Sequence, residues 1–149
     1  MKKIAIVTNM MSYYRLDLFN ELMKNTDYSF HFIFSSETEN NNRIWEINRN
    51  KIKFAYTILK TKSVIKKSKG ITETRIINIS KAVFKMLKRI SPDVIIASEY
   101  NTTSVKCFIY SKFHRIKYIS WSDGTLNSER FISKPQLFIR KLICRFSDY

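Results

Sequence analysis

Apolar residues in this chain fall into short continuous runs that alternate with stretches of helical spacing. Lys3 to Thr8 is apolar through Ile4-Ala5-Ile6-Val7 and predicts a strand covered on both faces. From about Tyr14 to Lys24, Leu16, Leu18, Phe19, Leu22 and Met23 recur at helical spacing and predict an amphipathic helix. Tyr28 to Phe34 is a second strand and Ile52 to Leu59 a third. Lys60 to Gly70 is polar and basic, and is expected to be an exposed, mobile loop. Ile76 to Ile90 predicts a helix with Ile76, Ile79, Ala82, Val83, Met86, Leu87 and Ile90 inward, and Lys81, Lys85, Lys88 and Arg89 outward. The stretch from Ser91 to Thr125 organises the rest. Pro92 stops the preceding helix, and Asp93 to Ser98 is a buried strand. Asn101 or Thr102 caps a helix from about Thr103 to His114, with Val105, Phe108, Ile109 and Phe113 on one face, and Lys117 to Trp121 is the next strand. Pro135 opens a last helix to about Phe146, striped by Ile139, Leu142, Ile143 and Phe146.

This order of elements predicts an α/β fold: a mostly parallel sheet with helices on both faces. A strand, a helix and another strand make a right-handed crossover between parallel neighbours, and ligands in such sheets sit outside the carboxyl ends of the strands. One rim should therefore gather Ser12, Tyr13, Tyr14 and Arg15 with Glu99, Tyr100, Asn101 and Thr102. Ser122, Asp123, Gly124 and Thr125 join them, followed by Asn127, Ser128, Glu129 and Arg130. A chain of 149 residues is one domain by length. A final helix with no strand after it is odd for this class, so the sequence is expected to be cut.

The 44% hydrophobic content suits a folded protein. Twenty-seven Lys and Arg against twelve Asp and Glu give a net charge of +15, which favours an anionic partner. The many Asn, Ile and Lys codons account for part of that charge without function. No apolar stretch reaches the length of a membrane span. The start, Met1-Lys2-Lys3, lacks the apolar core and cleavage site of a signal peptide. A cytoplasmic location is the expectation. Cys107 and Cys144 lack metal or redox spacing and are expected to be buried free thiols.

Much chemistry is excluded. With Gly70 and Gly124 the only glycines, no glycine-rich loop can cradle phosphates. There is no metal-ligand cluster and no nucleophile elbow. His31, mid-strand, is expected to be structural, and His114 has no triad context. No cofactor is implied. The rim instead combines hydroxyls, amides, carboxylates and tyrosine rings, which suit sugars. Ordinary caps and turns are the alternative, since Asp123-Gly124 is a standard turn pair.

Several short motifs, in order, resemble a family. Lys3-Ile4-Ala5-Ile6-Val7-Thr8-Asn9 followed by Tyr14-Arg15-Leu16-Asp17-Leu18-Phe19-Asn20-Glu21-Leu22 resembles the opening of a GT-B nucleotide-sugar glycosyltransferase of family 4. Ser91-Pro92-Asp93-Val94-Ile95-Ile96 resembles the family's Pro-Asp-Val strand. Trp121-Ser122-Asp123-Gly124-Thr125 with Ser128-Glu129-Arg130 resembles its Trp-Ser-(Asp/Glu)-Gly segment, and Arg140 to Tyr149 its basic helix leading into an Asp-Tyr strand. Met10-Met11-Ser12 stands where many relatives carry a glycine pair, and Ser122-Asp123 where many carry histidine.

The resemblance implies a Rossmann-like N-terminal, acceptor-side half of a two-domain enzyme, without the C-terminal domain that mainly holds the nucleotide-sugar. Such a fragment is expected to be inactive alone. The substrate-side candidates are Ser12, Tyr14, Arg15, Glu99, Asn101, Thr102, Asp123, Gly124 and Thr125, with no catalytic residue assigned. The implied partner is a surface-polysaccharide or lipid-linked sugar acceptor, and a nucleotide-sugar donor enters only with the second domain. A lipid-linked acceptor would bring the chain to the inner face of the membrane, where Lys60, Lys62, Lys66, Lys67 and Lys69 are the expected contacts. The competing class is a non-catalytic basic module for anionic membrane or nucleic acid. For nucleic acid the features are thin, with no RNP-like motif and no helix-turn-helix spacing.

Overall fold

The computed structural model describes residues 1–36, 47–67, 74–124 and 132–149, the side chains of 63–67 and 74–78 excepted. In chain order the elements are β1 (Lys2–Met10), α1 (Leu16–Leu22), β2 (Tyr28–Ser36), β3 (Tyr56–Ile58), β4 (Lys62–Lys67) and β5 (Thr74–Ile79). They continue with α2 (Ala82–Ile90), β6 (Val94–Ser98), α3 (Thr102–His114), β7 (Lys117–Trp121) and α4 (Lys134–Phe146). Short 3-10 turns at Tyr13–Arg15 and Arg49–Lys51 precede α1 and β3. Five strands form one parallel sheet in the order β3-β2-β1-β6-β7, and β4 and β5 make a separate antiparallel pair. This is a Rossmann-like α/β fold. The chain first steps outward from β1 to β2 and β3, then returns to the other side of β1 for β6 and β7, so strand order reverses between β1 and β6.

The period-2 alternation of each strand sorts the core into two layers. Ile6, Phe32 and Phe34 face α1, where Phe19 is wholly buried among Phe32, Phe34 and Phe54. Ala5, Val7, Ile33, Ile95, Ala97 and Tyr118 face the other way, against Val83 and Leu87 of α2, Cys107 and Phe108 of α3, and Ile143 of α4. Helices thus cover both faces, as the sequence predicts. Tyr118 stays buried because its hydroxyl donates to the Ser104 carbonyl at 3.2 Å, and burial pushes its pKa up. At the amino end of the sheet Asp93 accepts from the Lys3 backbone N–H at 2.7 Å, so that carboxylate ties β6 to β1. His31 lies mid-strand opposite Ala5, beside Ser29; burial, helped by the Lys3 charge, lowers its pKa.

Several expectations are corrected. Lys60 to Gly70 is not a loop throughout, since Lys62–Lys67 is a strand paired with Thr74–Ile79; residues 68–70 lie outside the described residues. Ile76 and Ile79 accordingly belong to β5 and not to the helix. Three β-branched isoleucines within four positions favour a pleated backbone, and helix begins only at Ala82, whose N–H is capped by Ser80 Oγ at 3.1 Å. The third strand is shorter than its apolar run, because Phe54 turns into the core ahead of it. In the first helix Leu18 and Met23 are exposed, and Tyr13–Arg15 is a 3-10 turn.

The inward face of α3 is also different. Thr103, Ser104, Cys107, Phe108, Tyr110 and Ser111 are buried, whereas Ile109 and Phe113 are exposed. Ser111 Oγ donates to the Phe108 carbonyl and Ser104 Oγ to the Ser98 carbonyl, both at 2.7 Å, so these small hydroxyls enter the core already satisfied. On α4 only Ile143 of the expected stripe is buried, and Cys144 is exposed. Two backbone hydrogen bonds, Asp148 N–H to the Tyr118 carbonyl and Ser120 N–H to the Tyr149 carbonyl, lay 148–149 along β7. Among the described residues no helix is long and apolar enough to cross a membrane.

Candidate functional site

The carboxyl ends of β1, β6 and β7 meet at one rim, and the crevice between β1 and β6 is where strand order reverses. At the end of β1 Thr8 Oγ1 donates to the Met10 carbonyl at 3.0 Å, and beyond the strand the Ser12 carbonyl accepts from Arg15 N–H at 3.1 Å. That turn swings Arg15 back beneath the rim. Arg15, which the sequence places at the rim with Tyr14, is only 6% accessible, whereas Tyr14 is exposed. Its guanidinium lies 4.4 Å from the Trp121 ring centroid and 5.4 Å from that of Tyr14, and it pairs with the Asp123 carboxylate. The Asp123 side chain is 53% accessible. A planar, weakly hydrated cation tolerates this position because two aromatic faces and one carboxylate replace its water.

At the end of β6 the chain turns sharply. Glu99 takes a left-handed conformation at φ 62°, and its N–H donates to the Trp121 carbonyl at 2.8 Å. The side chain of Glu99 is exposed. Asn101 then caps α3: its Oδ1 accepts from the N–H groups of Thr103 and Ser104 at 2.9 and 3.0 Å. Ser35 Oγ, near the end of β2, donates to Thr103 Oγ1 at 2.8 Å and anchors the helix start over the sheet. Tyr100 stands beside this cap, 3.2 Å from Cys144 Sγ through its hydroxyl, with Arg140 stacked 4.5 Å from its ring centroid.

Among the described residues, three buried side-chain atoms have no hydrogen-bond partner: Arg15 Nε, Ser98 Oγ and Asn101 Nδ2. All three belong to this rim, at the ends of β1 and β6. Interior polar groups are almost always satisfied, so three unpartnered atoms on one rim are unusual.

The structure therefore sets Arg15 against both Tyr14 and Asp123, and Glu99 beside Trp121. Ser12 is buried, Thr102 is half-buried in the first turn of α3, and Gly124 donates its N–H to Ser122 Oγ at 3.2 Å. Thr125 and residues 127–130 lie outside the described residues. Trp121, which sequence reasoning placed in a strand and not in the site, proves to be the floor under Arg15; its position at the last residue of β7 was the available signal. Of the lysines expected at a membrane, Lys60 and Lys62 are exposed; the side chains of Lys66 and Lys67, and all of Lys69, lie outside the described residues. No group of metal-ligating side chains occurs among the described residues.

Neither a protein-family model nor a curated protein matches this sequence. Solved structures do match in fold. A crystal structure of a UDP-N-acetylglucosamine 2-epimerase superposes with a TM-score of 0.59 at 14% identity, covering 99% of this chain and 41% of the epimerase. The UDP-GlcNAc 2-epimerase from Neisseria meningitidis, bound to UDP-GlcNAc, superposes with a TM-score of 0.54 at 12% identity, covering 100% of this chain and 40% of that one. The chain thus spans about two fifths of the length of these neighbours and shares with them a Rossmann-like arrangement of the GT-B-like type.

Proposed function

We propose that this chain forms the acceptor-side wall of a sugar-nucleotide enzyme of the two-domain GT-B type, and that its rim binds a sugar. The carrying observation is the rim itself. A buried arginine held between Tyr14 and Trp121 aims a half-exposed aspartate, and the three unpartnered polar atoms lie at the same switch point. Sugars require many hydrogen bonds and a flat apolar surface; the exposed rings of Tyr13 and Tyr14, edge to face at 5.6 Å, supply the latter. In this reading Asp123 accepts from an acceptor hydroxyl, and Arg15 is the positioning residue that holds it. One neighbouring structure holds UDP-GlcNAc, which is consistent with a nucleotide-sugar as the donor. The reaction proposed is glycosyl transfer to a surface-polysaccharide or lipid-linked sugar, with the leaving diphosphate stabilised from the opposite wall.

The chain has two tryptophans. Trp121 fluorescence in a Trp45→Phe background therefore reads the rim directly. Titration with UDP-GlcNAc and with a panel of free oligosaccharides should give a saturable change for at least one sugar, lost in Asp123→Ala. Turnover of a UDP-, GDP- or dTDP-sugar by residues 1–149 alone should be absent. A rim silent to every sugar overturns the reading, and turnover by the isolated chain overturns the need for a second wall.

A further inference from the structure

A second surface lies away from the rim. Because α2 and α3 each run back against their strands, their last turns sit at the amino ends of β6 and β7, opposite the crevice. Between them the two helices enclose a groove of about 420 Å³ that runs toward that end, lined by Phe84, Lys85 and Lys88 of α2 and by Ile109, Phe113 and His114 of α3. Tyr110 forms its floor, with the His114 ring 4.2 Å and the Phe84 ring 6.2 Å from it, centroid to centroid. Phe113 projects from the last turn of α3 with 83% of its surface exposed, and Ile109, one turn earlier, is exposed as well. These are the positions sequence periodicity assigned to the inward face of α3; the small hydroxyl residues took that face and turned the large apolar ones to solvent.

The surroundings are mostly basic, with Asp93 and Asp148 the acids near this end of the sheet. The sequence has no Asp or Glu from Ser80 to Pro92, nor from Tyr100 to Ser122, while Lys81, Lys85, Lys88, Arg89, Lys106, Lys112, Arg115 and Lys117 fall within those stretches. Among the described residues no ion pair joins Lys85 or Lys88. The acid near this end of the helices that meets a lysine is Asp148, 3.4 Å from Lys112.

We infer that this α2–α3 surface docks the chain on an anionic lipid bilayer, with Phe113 and Ile109 entering the headgroup–acyl boundary and the lysines engaging the headgroups. Charge complementarity selects a negative partner, and shape selects a bilayer. A helical peptide would fill the groove with its own anchoring side chains and leave the outer face of Phe113 in water, whereas a bilayer covers that face as well. A protruding aromatic ring flanked by long basic side chains suits the membrane interface, where the ring is half immersed and the ammonium groups reach the headgroups. Docking here leaves the switch-point rim open, so the inference stands apart from the sugar reading.

Flotation of the full chain with vesicles of phosphatidylcholine containing about one third phosphatidylglycerol tests it, at low salt and at about 0.15 M salt. Wild-type protein should float with these vesicles, less at the higher salt, and not with phosphatidylcholine alone. Phe113→Ser should weaken partitioning about tenfold, the loss expected for one ring withdrawn from an apolar phase. Lys85→Gln with Lys88→Gln should weaken it roughly thirtyfold at low salt. These side chains are exposed, so circular dichroism should show folding unchanged. Arg15→Met should float like wild type even where sugar binding is lost. Equal flotation of wild type and both surface variants overturns the inference, as does equal binding to neutral vesicles. Failure to float together with salt-sensitive capture of a single-stranded oligonucleotide through Lys85 and Lys88 overturns it in favour of a nucleic-acid surface.

Discussion

The contact between Arg15 and Asp123 makes an asymmetric prediction. Arg15 is 6% accessible and the Asp123 side chain 53%, so the cost of breaking the pair depends on which partner is removed. Opposite charges about 4 Å apart attract by about 4 kcal/mol at an effective dielectric of about 20. Hydration of the aspartate offsets much of this: exposed pairs contribute at most about 1 kcal/mol, whereas breaking a fully buried pair costs about 3–5 kcal/mol. With one partner buried and one half-exposed, Asp123→Ala should cost about 1–2 kcal/mol, because among the described residues the guanidinium is left with its ring contacts to Tyr14 and Trp121, each worth about 0.5–1 kcal/mol and more when desolvated. In an Arg15→Met background no buried charge remains. Methionine fills the slot between Tyr14 and Trp121, Asp123 rehydrates, and its removal should then cost less than about 0.3 kcal/mol. Urea unfolding of the four proteins of the cycle, followed by circular dichroism, measures the coupling as a midpoint shift of roughly 0.5–1 M. If Asp123→Ala costs the same in both backgrounds, Asp123 does not compensate Arg15, and the rim is not organised around their contact.

Two further outcomes follow from burial and charge elsewhere. Cys107 is fully buried and its thiol is pushed up to about 12, whereas Cys144 is exposed; iodoacetamide on the native protein should therefore add one adduct by intact mass, at Cys144, and a second only after unfolding. Prompt labelling of Cys107 in the native state would show that α3 does not pack as described. Asp148 accepts from the Tyr118 backbone N–H at 2.9 Å, and this bond, with Lys112 adding, holds its carboxyl below the usual range. The unfolded chain then binds the proton more readily. Stability from Asp148 is full above the ordinary carboxylate range and is lost as pH falls through the depressed folded value. Asp148→Asn should thus be less stable than wild type at neutral pH and indistinguishable from it in strong acid; an equal deficit at both would show that charge plays no part.

Much of the fold was legible in the chain before any coordinates. The Ile4-Ala5-Ile6-Val7 and Val94-Ile95-Ile96 runs are too continuous for a half-solvated strand, and the eighteen-residue gap between β6 and β7 carried a capped helix, so parallel pairing followed from local chemistry alone. The rim followed too, since each polar cluster comes directly after a strand. Periodicity failed in two places. At Ile76 to Ile79 a β-branched run mimicked one face of a helix, and only cross-strand pairing with Lys62–Lys67 decided against it. On α3, hydrophobicity pointed to Ile109 and Phe113, whereas the sheet took the side with Ser104, Cys107 and Ser111, the two serine hydroxyls being satisfied by nearby carbonyls.

What sequence could not contain is distance. Arg15 and Asp123 are 108 positions apart, and nothing local to either announces the other. Their pairing exists because the sheet order places the end of β7 within reach of the turn after β1, across β6. Burial of Arg15 is likewise a property of its surroundings: the turn at Tyr13–Arg15 directs it inward, and Trp121 and Tyr14 close around it. Local sequence determines which backbone each segment adopts, because propensity, capping and periodicity act over a few residues. Only the tertiary structure decides which charges lose their water and which atoms replace it, because solvation depends on everything that packs nearby.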